Sequence, residues 1–308
     1  MNFHNLYIKN IIKETADAVS IVFDIPQTLT PSFAFKAGQY VMLKTKIDGE
    51  EVRRAYSICS SPNSGKVKVA VKAVENGKFS TYVTEKLKEG DSLEVHEPEG
   101  NFILTPERGK NYIAFAAGSG ITPILSMVKV VLESSTDSTI TLIYGNKSEA
   151  DTIFKTELEA LRDASNGRFK LHYVFSRQNV AGNLFGRIDE GFTNYYVKNI
   201  YKNVSFDSAY LCGPEAMIKI VSETLQNNGF DQSNILFELF TASEDAGDTS
   251  GVKDGETEVT VLLDDEEISF TMKQTDDLLS AALRNQVDAP YSCQGGICSS
   301  CLARVTEG

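Results

Sequence analysis

Tyr112-Ile113-Ala114-Phe115-Ala116-Ala117-Gly118-Ser119-Gly120-Ile121-Thr122-Pro123 is the stretch that decides the fold. An unbroken apolar run, closed by two glycines and followed by the helical pattern Pro123–Leu132, predicts a buried strand, a tight turn and a helix. The alternation continues downstream. Strands are expected at Thr139–Tyr144, Lys170–Phe175, Ala209–Cys212 and Ile235–Glu238, with helices at Thr152–Asp163, Ile188–Tyr196 and Pro214–Asn227. Apolar strands alternating with amphipathic helices predict a parallel sheet covered on both faces.

Upstream the period changes. Ser20–Ile25, Gln39–Leu43, Val67–Val74 and Ser92–His96 read as short strands, with one helix at Ser80–Leu87. Turn material such as Asp48-Gly49, Ser61–Gly65, Asn76-Gly77 and Glu89–Asp91 separates them, which predicts a closed antiparallel barrel. Downstream, Thr241–Glu256 is poor in apolar residues and reads as a flexible linker. Beyond it, Glu258–Leu263 and Glu267–Thr271 predict a hairpin, and Thr275 is expected to cap a helix running to Leu283. The expected organisation is a β-barrel at 1–106, an α/β domain at 107–241, a linker at 242–256 and a small module at 257–308.

Composition excludes several classes. With 42% hydrophobic and 23% charged residues the chain is neither disordered nor collagen-like nor a coiled coil. No stretch approaches the roughly 20 apolar residues of a membrane helix, so no membrane partner is expected. Met1 to Lys9 has no basic segment leading into an apolar run, so a cytoplasmic location is expected. The net charge is −12, which argues against nucleic acid. Residues from Ala242 to Gly308 hold 14 acidic against 4 basic side chains, nearly all of that excess. Such a module either aids solubility or docks on a partner with a basic face.

Three of the five cysteines lie in Cys293-Gln294-Gly295-Gly296-Ile297-Cys298-Ser299-Ser300-Cys301. This C-x4-C-x2-C spacing is that of plant-type 2Fe-2S proteins. Glycines let backbone N–H groups fold inward around the cluster, and small serines avoid crowding it. A zinc site would usually bring paired C-x2-C knuckles, and the second pair is missing. A cluster needs four ligands, and no cysteine follows Cys301. Either the native protein continues past Gly308 or the site and its module are incomplete.

Four other motifs carry chemistry. In Arg53-Arg54-Ala55-Tyr56-Ser57 an arginine can clamp a diphosphate and a tyrosine can cover an aromatic ring system; the alternative is a surface strand with a basic pair. Asn76-Gly77-Lys78-Phe79-Ser80-Thr81 opens the first helix, where phosphates bind, or holds an ordinary serine cap. Gly118-x-Gly120-x-Thr122-Pro123 sits where open α/β sheets take a nucleotide diphosphate. Ser176-Arg177 follows a later strand, where an arginine holds a ribose 2′-phosphate or stands solvated. Cys212-Gly213-Pro214 again ends a strand; a lone cysteine there is more often a buried structural thiol.

Taken in order, these motifs resemble the ferredoxin–NADP reductase superfamily fused to a plant-type ferredoxin, over essentially the whole chain. Phe3-His4, Glu50–Cys59, Val69–Val74, Ala116–Pro123, Ile143–Asn146 and Cys212-Gly213-Pro214 resemble the reductase subunits of phenylacetyl-CoA epoxidases. The resemblance implies an FAD-binding barrel, an NADP-binding α/β domain and a β-grasp ferredoxin module. Arg54 would bind the FAD diphosphate, Tyr56 would stack on the isoalloxazine beside Ala55, and Ser57 would bond near flavin N5. Ala70, Val71 and Lys72 would line the flavin, while Gly77, Lys78, Phe79, Ser80 and Thr81 would hold its phosphates. Gly118, Gly120, Thr122, Pro123, Gly213 and Pro214 would contact the nicotinamide nucleotide, with Ser176 and Arg177 favouring NADPH. Cys212 would sit beside the nicotinamide, Glu238 would serve as an electrostatic and proton-relay group, and Phe240 would cover the flavin ring. Cys293, Cys298 and Cys301 would hold the cluster.

The expected function is therefore that of an FAD- and 2Fe-2S-dependent NADPH oxidoreductase, in phenylacetate catabolism, feeding electrons to an oxygenase or other acceptor protein. Two other readings stay open: a stand-alone NAD(P)H–acceptor reductase with a degenerate ferredoxin module, and a non-enzymatic metal-binding or adaptor module at the C-terminus.

Overall fold

Alternating burial along short strands builds the first half of the chain. A computed structural model describes residues 2–240, 255–263, 266–285, 287, 289 and 303–307. Contacts divide it into two units, Asn2–Phe240 and a second from Thr241. The first unit opens with β1 (Phe3–Lys13), β2 (Ala18–Asp24), β3 (Tyr40–Ile47), β4 (Glu50–Ser57), β5 (Lys68–Lys72), α1 (Lys78–Glu85) and β6 (Ser92–His96). The six strands form one antiparallel sheet in the order β4-β3-β6-β1-β2-β5. Its two ends meet: Ile58 bridges Val69, and the Cys59 N–H donates to the Lys68 carbonyl at 2.8 Å. Leu6, Ile21, Val41, Leu43, Val69, Val71 and Val95 fill the enclosed core, and α1 adds Phe79 and Val83.

Two of these strands escape a reading by apolar pattern. β1 buries only Leu6 and Ile8 fully and carries a bulge between Ile8 and Asn10. β4 is rich in charge yet pairs along its whole length with β3. The hairpin joining them turns at Asp48 (φ 53°) and Gly49 (φ 86°), the twin positive φ values of a tight hairpin turn. The first helix begins at Lys78 rather than Ser80, with Gly77 as its N-cap. Ser80 instead lies inside the first turn, where its hydroxyl accepts from the Val74 N–H at 3.2 Å.

The second half follows the strand–helix alternation: β7 (Asn111–Ala117), a 3-10 turn at Gly118–Gly120, α2 (Ile121–Ser134), β8 (Thr139–Asn146), α3 (Lys155–Ala164), β9 (Phe169–Phe175), β10 (Leu184–Phe185), α4 (Glu190–Asn194), β11 (Ser208–Gly213), α5 (Glu215–Asn227) and β12 (Ile235–Leu239). The parallel sheet runs β10-β9-β8-β7-β11-β12. Tyr112, Ala114 and Ala116 of β7 share an apolar cluster with Ile124 and Met127 of α2 and Leu158 of α3. Ile113 and Phe115 share another with Met217, Val221 and Leu225 of α5. Truncating a fully buried Phe115 to alanine is expected to remove about 3–5 kcal/mol. The chain leaves β7 toward β8 and returns to β7's other side as β11, so β7 marks the topological switch point.

Two helix starts differ from the pattern reading. α3 starts only at Lys155 because Phe154 adopts a left-handed backbone (φ 61°). α4 starts at Glu190, capped by Asp189, whose Oδ1 accepts from the Phe192 N–H at 2.9 Å, and continues as a π-turn over Tyr195–Ile200.

The first apolar cluster of the sheet also takes in Ala18, Ala37, Cys59, Ala70, Phe102 and Leu104 from the barrel side. Barrel and parallel sheet are thus sealed by one core.

In the second unit, β13 (Glu256–Leu263) pairs antiparallel with β14 (Glu266–Lys273), and α6 (Leu278–Arg284) follows. Glu256, placed in the linker by composition, already belongs to a strand. Asp277 rather than Thr275 caps α6, its Oδ1 accepting from the Ser280 N–H at 2.8 Å. Phe270, Ala281, Ala282 and Val287 form the small core. Cys293, Cys298 and Cys301 lie outside the described residues. Among the described residues no helix is long and apolar enough to cross a membrane.

Candidate functional site

β4 alternates its side chains along the rim of the barrel. Arg54 and Tyr56 share one face, while Ala55 and Ser57 share the other. Arg54 is exposed and its Nη1 donates to the Arg53 carbonyl at 2.6 Å. Tyr56 is half-buried and stacks on Phe79 with ring centroids 5.7 Å apart. Burial pushes the Tyr56 phenol well above its ordinary range, only partly opposed by Arg54, so it stays neutral.

Ser57, 4% exposed, turns toward the parallel sheet and donates from Oγ to Glu238 Oε2 at 3.1 Å. Glu238 stands on β12 directly beside Cys212 of β11 in the strand register. The Cys212 thiol is fully buried; burial, reinforced by the Glu238 charge, lifts its pKa well above 9.0. It is a protonated, uncharged thiol. Phe240, just past β12, is half-buried and packs on the cluster containing Ala70, Ala116 and Cys212.

The Gly118–Pro123 turn and the Cys212–Pro214 loop interlock. A Cβ on Gly120 would lie 2.1 Å from the Cys212 carbonyl oxygen, and one on Gly213 would lie 3.1 Å from the Ala117 Cβ. Gly118 has φ 55°, and a Cβ there would meet nothing within 4 Å, so its backbone faces open space. Thr122 Oγ1 donates to the Ser119 carbonyl at 3.0 Å, holding the turn, and Pro123 occupies the first turn of α2. A Gly-rich turn opening a helix, with clear space before it, fits a nucleotide diphosphate. The exposed Arg54 and the half-buried Tyr56 ring fit a flavin nucleotide.

The remaining candidate residues lie on β5, α1 and the end of β9. Val71 is fully buried in the barrel core, so only its peptide is available to a ligand; Ala70 lies on the opposite face of β5, and Lys72 Nζ lies 3.4 Å from Asp17. Phe79 and Ser80 are buried, leaving Lys78, Thr81 and backbone N–H groups at the start of α1. The Lys78 ammonium pairs with Glu50 at 2.6 Å. Ser176 and Arg177 follow β9, their N–H groups held by the Asn146 and Lys147 carbonyls at 2.9 Å each, with Arg177 exposed.

Tyr144 lies in the Ile143–Asn146 stretch that carries the resemblance, but motif reading assigns it no role. It is fully buried, and its hydroxyl donates to the Gly118 carbonyl at 2.9 Å, fixing the turn from β8. A single tyrosine inside an apolar strand carries no spacing signal.

Three domain profiles match the chain: an oxidoreductase FAD-binding domain over residues 5–103, an oxidoreductase NAD-binding domain over 115–223 and a 2Fe-2S iron-sulfur cluster binding domain over 261–308. A component of the 1,2-phenylacetyl-CoA epoxidase of Escherichia coli (strain K12) is 38% identical over 99% of this chain and 87% of that protein. The ferredoxin reductase component of the 3-ketosteroid-9-alpha-monooxygenase of Rhodococcus rhodochrous is 31% identical over 98% of this chain and 86% of that protein. The solved structure of a ferredoxin NADP+ reductase from Neisseria gonorrhoeae shares the fold, with TM-score 0.67 and 22% identity over 78% of this chain and all of that one.

Proposed function

Since the chain belongs to the family of reductases that join FAD-binding, NAD-binding and 2Fe-2S domains in one polypeptide, we propose that this FAD-dependent NAD(P)H oxidoreductase feeds an oxygenase, specifically a phenylacetyl-CoA epoxidase. FAD supplies a two-electron acceptor that releases electrons singly, and a 2Fe-2S centre carries them one at a time. The observation that carries the reading is the meeting of Ser57, Glu238 and Cys212 at the C-terminal edge of the parallel sheet.

The roles of the residues follow from their chemistry. Arg54 anchors a diphosphate and Tyr56 offers its ring face to the flavin. Gly118, Gly120 and Thr122 bring the nicotinamide nucleotide close to the backbone, with Pro123, Gly213 and Pro214 shaping the loops. Cys212 stays protonated and uncharged beside the transferring carbon. Ser57 gives its Oγ proton to Glu238, which orients the hydroxyl so that the oxygen lone pairs are left for the flavin edge. Phe240 caps the site and excludes water. Arg177 selects the 2′-phosphate, favouring NADPH. The acidic residues from Ala242 onward offer a basic partner face its complement.

The test is anaerobic mixing of the FAD-loaded full chain with NADPH, following loss of the visible flavin band. Addition of the oxygenase subunits of a phenylacetyl-CoA epoxidase should then restore the band. Recovery with ferricyanide but not with those subunits would sink the partner assignment, and no bleaching with either nucleotide would sink the reductase reading.

A further inference from the structure

Away from the nucleotide loops, barrel and parallel sheet meet along a polar seam. Ser126, Lys129 and Glu133 of α2 stand three and four residues apart, one stripe of the helix. All three grip the short barrel segment after β4. Ser126 Oγ donates to the Ser60 carbonyl at 2.7 Å, and Lys129 Nζ donates to the Cys59 carbonyl at 2.9 Å. The Glu133 carboxylate accepts from the Ser61 hydroxyl and, at 3.0 Å, from the Asn63 amide.

A second set of charges ties the same helix to β5. Lys129 Nζ lies 2.6 Å from Glu157 Oε1 of α3. Lys68 Nζ of β5 lies 3.4 Å from the other Glu157 oxygen and 3.4 Å from Glu14 Oε1. The Lys68, Lys129 and Glu14 side chains are only 14%, 12% and 12% exposed, so each charge depends on its partners. Burial works to raise the Glu157 pKa, but the two lysines hold it below its ordinary value, so the carboxylate stays charged.

Both ends of this seam lead to the site. α2 begins at the Gly118–Gly120 turn, and β5 runs from Lys68 directly into Ala70–Lys72. The ion pairs therefore lie between the helix that starts at the Gly118–Gly120 turn and the strand that carries Ala70–Lys72.

We infer that Ser126, Lys129 and Glu133, with Lys68 and Glu157, are positioning residues that set the approach of nicotinamide to flavin. This rests on the reductase reading above. Hydride transfer is steep in distance and angle, so a small slip of α2 slows the step without removing any contact to the nucleotide.

The experiment is stopped-flow reduction of the FAD-loaded full chain by saturating NADPH. Lys129→Met should lower the limiting rate about tenfold while the apparent Kd for NADPH changes less than about twofold, and Lys129→Arg should recover most of the rate. A purely structural defect would lower FAD occupancy, not the rate per bound flavin. Where Lys129→Met yields no folded protein, Ser126→Ala removes one bond of the seam and should slow the same step by about threefold. Unchanged limiting rates, or weakened nucleotide binding with the rate intact, would overturn the inference alone. No reduction of the unmutated protein would overturn the reductase reading and the inference with it.

Discussion

The Ser57 hydroxyl and the Glu238 carboxylate share a hydrogen bond at 3.1 Å across 181 positions of sequence, joining the rim of the barrel to the last strand of the parallel sheet. The role proposed for Ser57 in hydride transfer depends on that bond, because it directs the serine proton to Glu238.

Ser57→Ala should therefore slow flavin reduction by up to about a hundredfold, the scale of lost orientation. Nucleotide affinity should change little. Stopped-flow reduction at an unchanged rate would remove Ser57 from the mechanism.

Arg177→Ala bears on nucleotide choice. Its exposed guanidinium follows β9, where the adenosine ribose is proposed to lie. Loss of a charge-assisted contact of about 1.5–3 kcal/mol should narrow the NADPH-over-NADH ratio of kcat/KM by about tenfold to a hundredfold. An unmutated protein that uses both equally well would refute the assignment.

The two turn glycines should respond differently to alanine. At Gly118 a Cβ meets open space but φ is 55°, so the change costs about 1–2 kcal/mol through backbone conformation alone. At Gly120 the Cβ lies 2.1 Å from the Cys212 carbonyl, and overpacking against backbone should cost about 3 kcal/mol and displace the Cys212 loop. Denaturant melts of the pair would give equal losses if the interlock were unimportant.

Alkaline stability tests the seam thiol. Burial pushes the Cys59 pKa from 9.0 up to about 12, ahead of the smaller influence of neighbouring charges. A raised folded pKa means its contribution is full below pH 9 and fades as the pH climbs toward 12, because the unfolded thiol ionises first. In that window Cys59→Ala should flatten the fall in unfolding free energy by about 1.4 kcal/mol per pH unit. Parallel curves for the two proteins would contradict this.

How much of this was legible in the sequence depended on whether the signal was local. Tyr112–Ala117 and its two glycines announced β7 and the turn, because continuous burial and backbone freedom are written into consecutive residues. β4 was not, since its core contribution is Val52 and the cation pair masks the alternation. The caps at Gly77 and Asp277 were missed in favour of Ser80 and Thr275, side chains equally able to cap but held elsewhere in the fold or standing outside the helix. The Ser57–Glu238 bond and the Lys129–Glu157–Lys68 seam join residues far apart in the chain. Neither leaves a spacing for pattern reading to find, and only the packed structure brings them together.

The shared core has a consequence for synthesis on the ribosome. All six barrel strands lie before Glu97, so the barrel can close while the rest of the chain is still being made. Its seam of Ala18, Ala37, Cys59, Ala70, Phe102 and Leu104 then has no cover until α2 folds onto it. β7 likewise keeps an open edge until β11 arrives, beyond Ser208. At about 5–20 residues per second the nascent chain carries this sticky, half-built state for several seconds. A fragment ending after the barrel would keep it permanently, which makes such a truncation a candidate for aggregation rather than a usable flavin module.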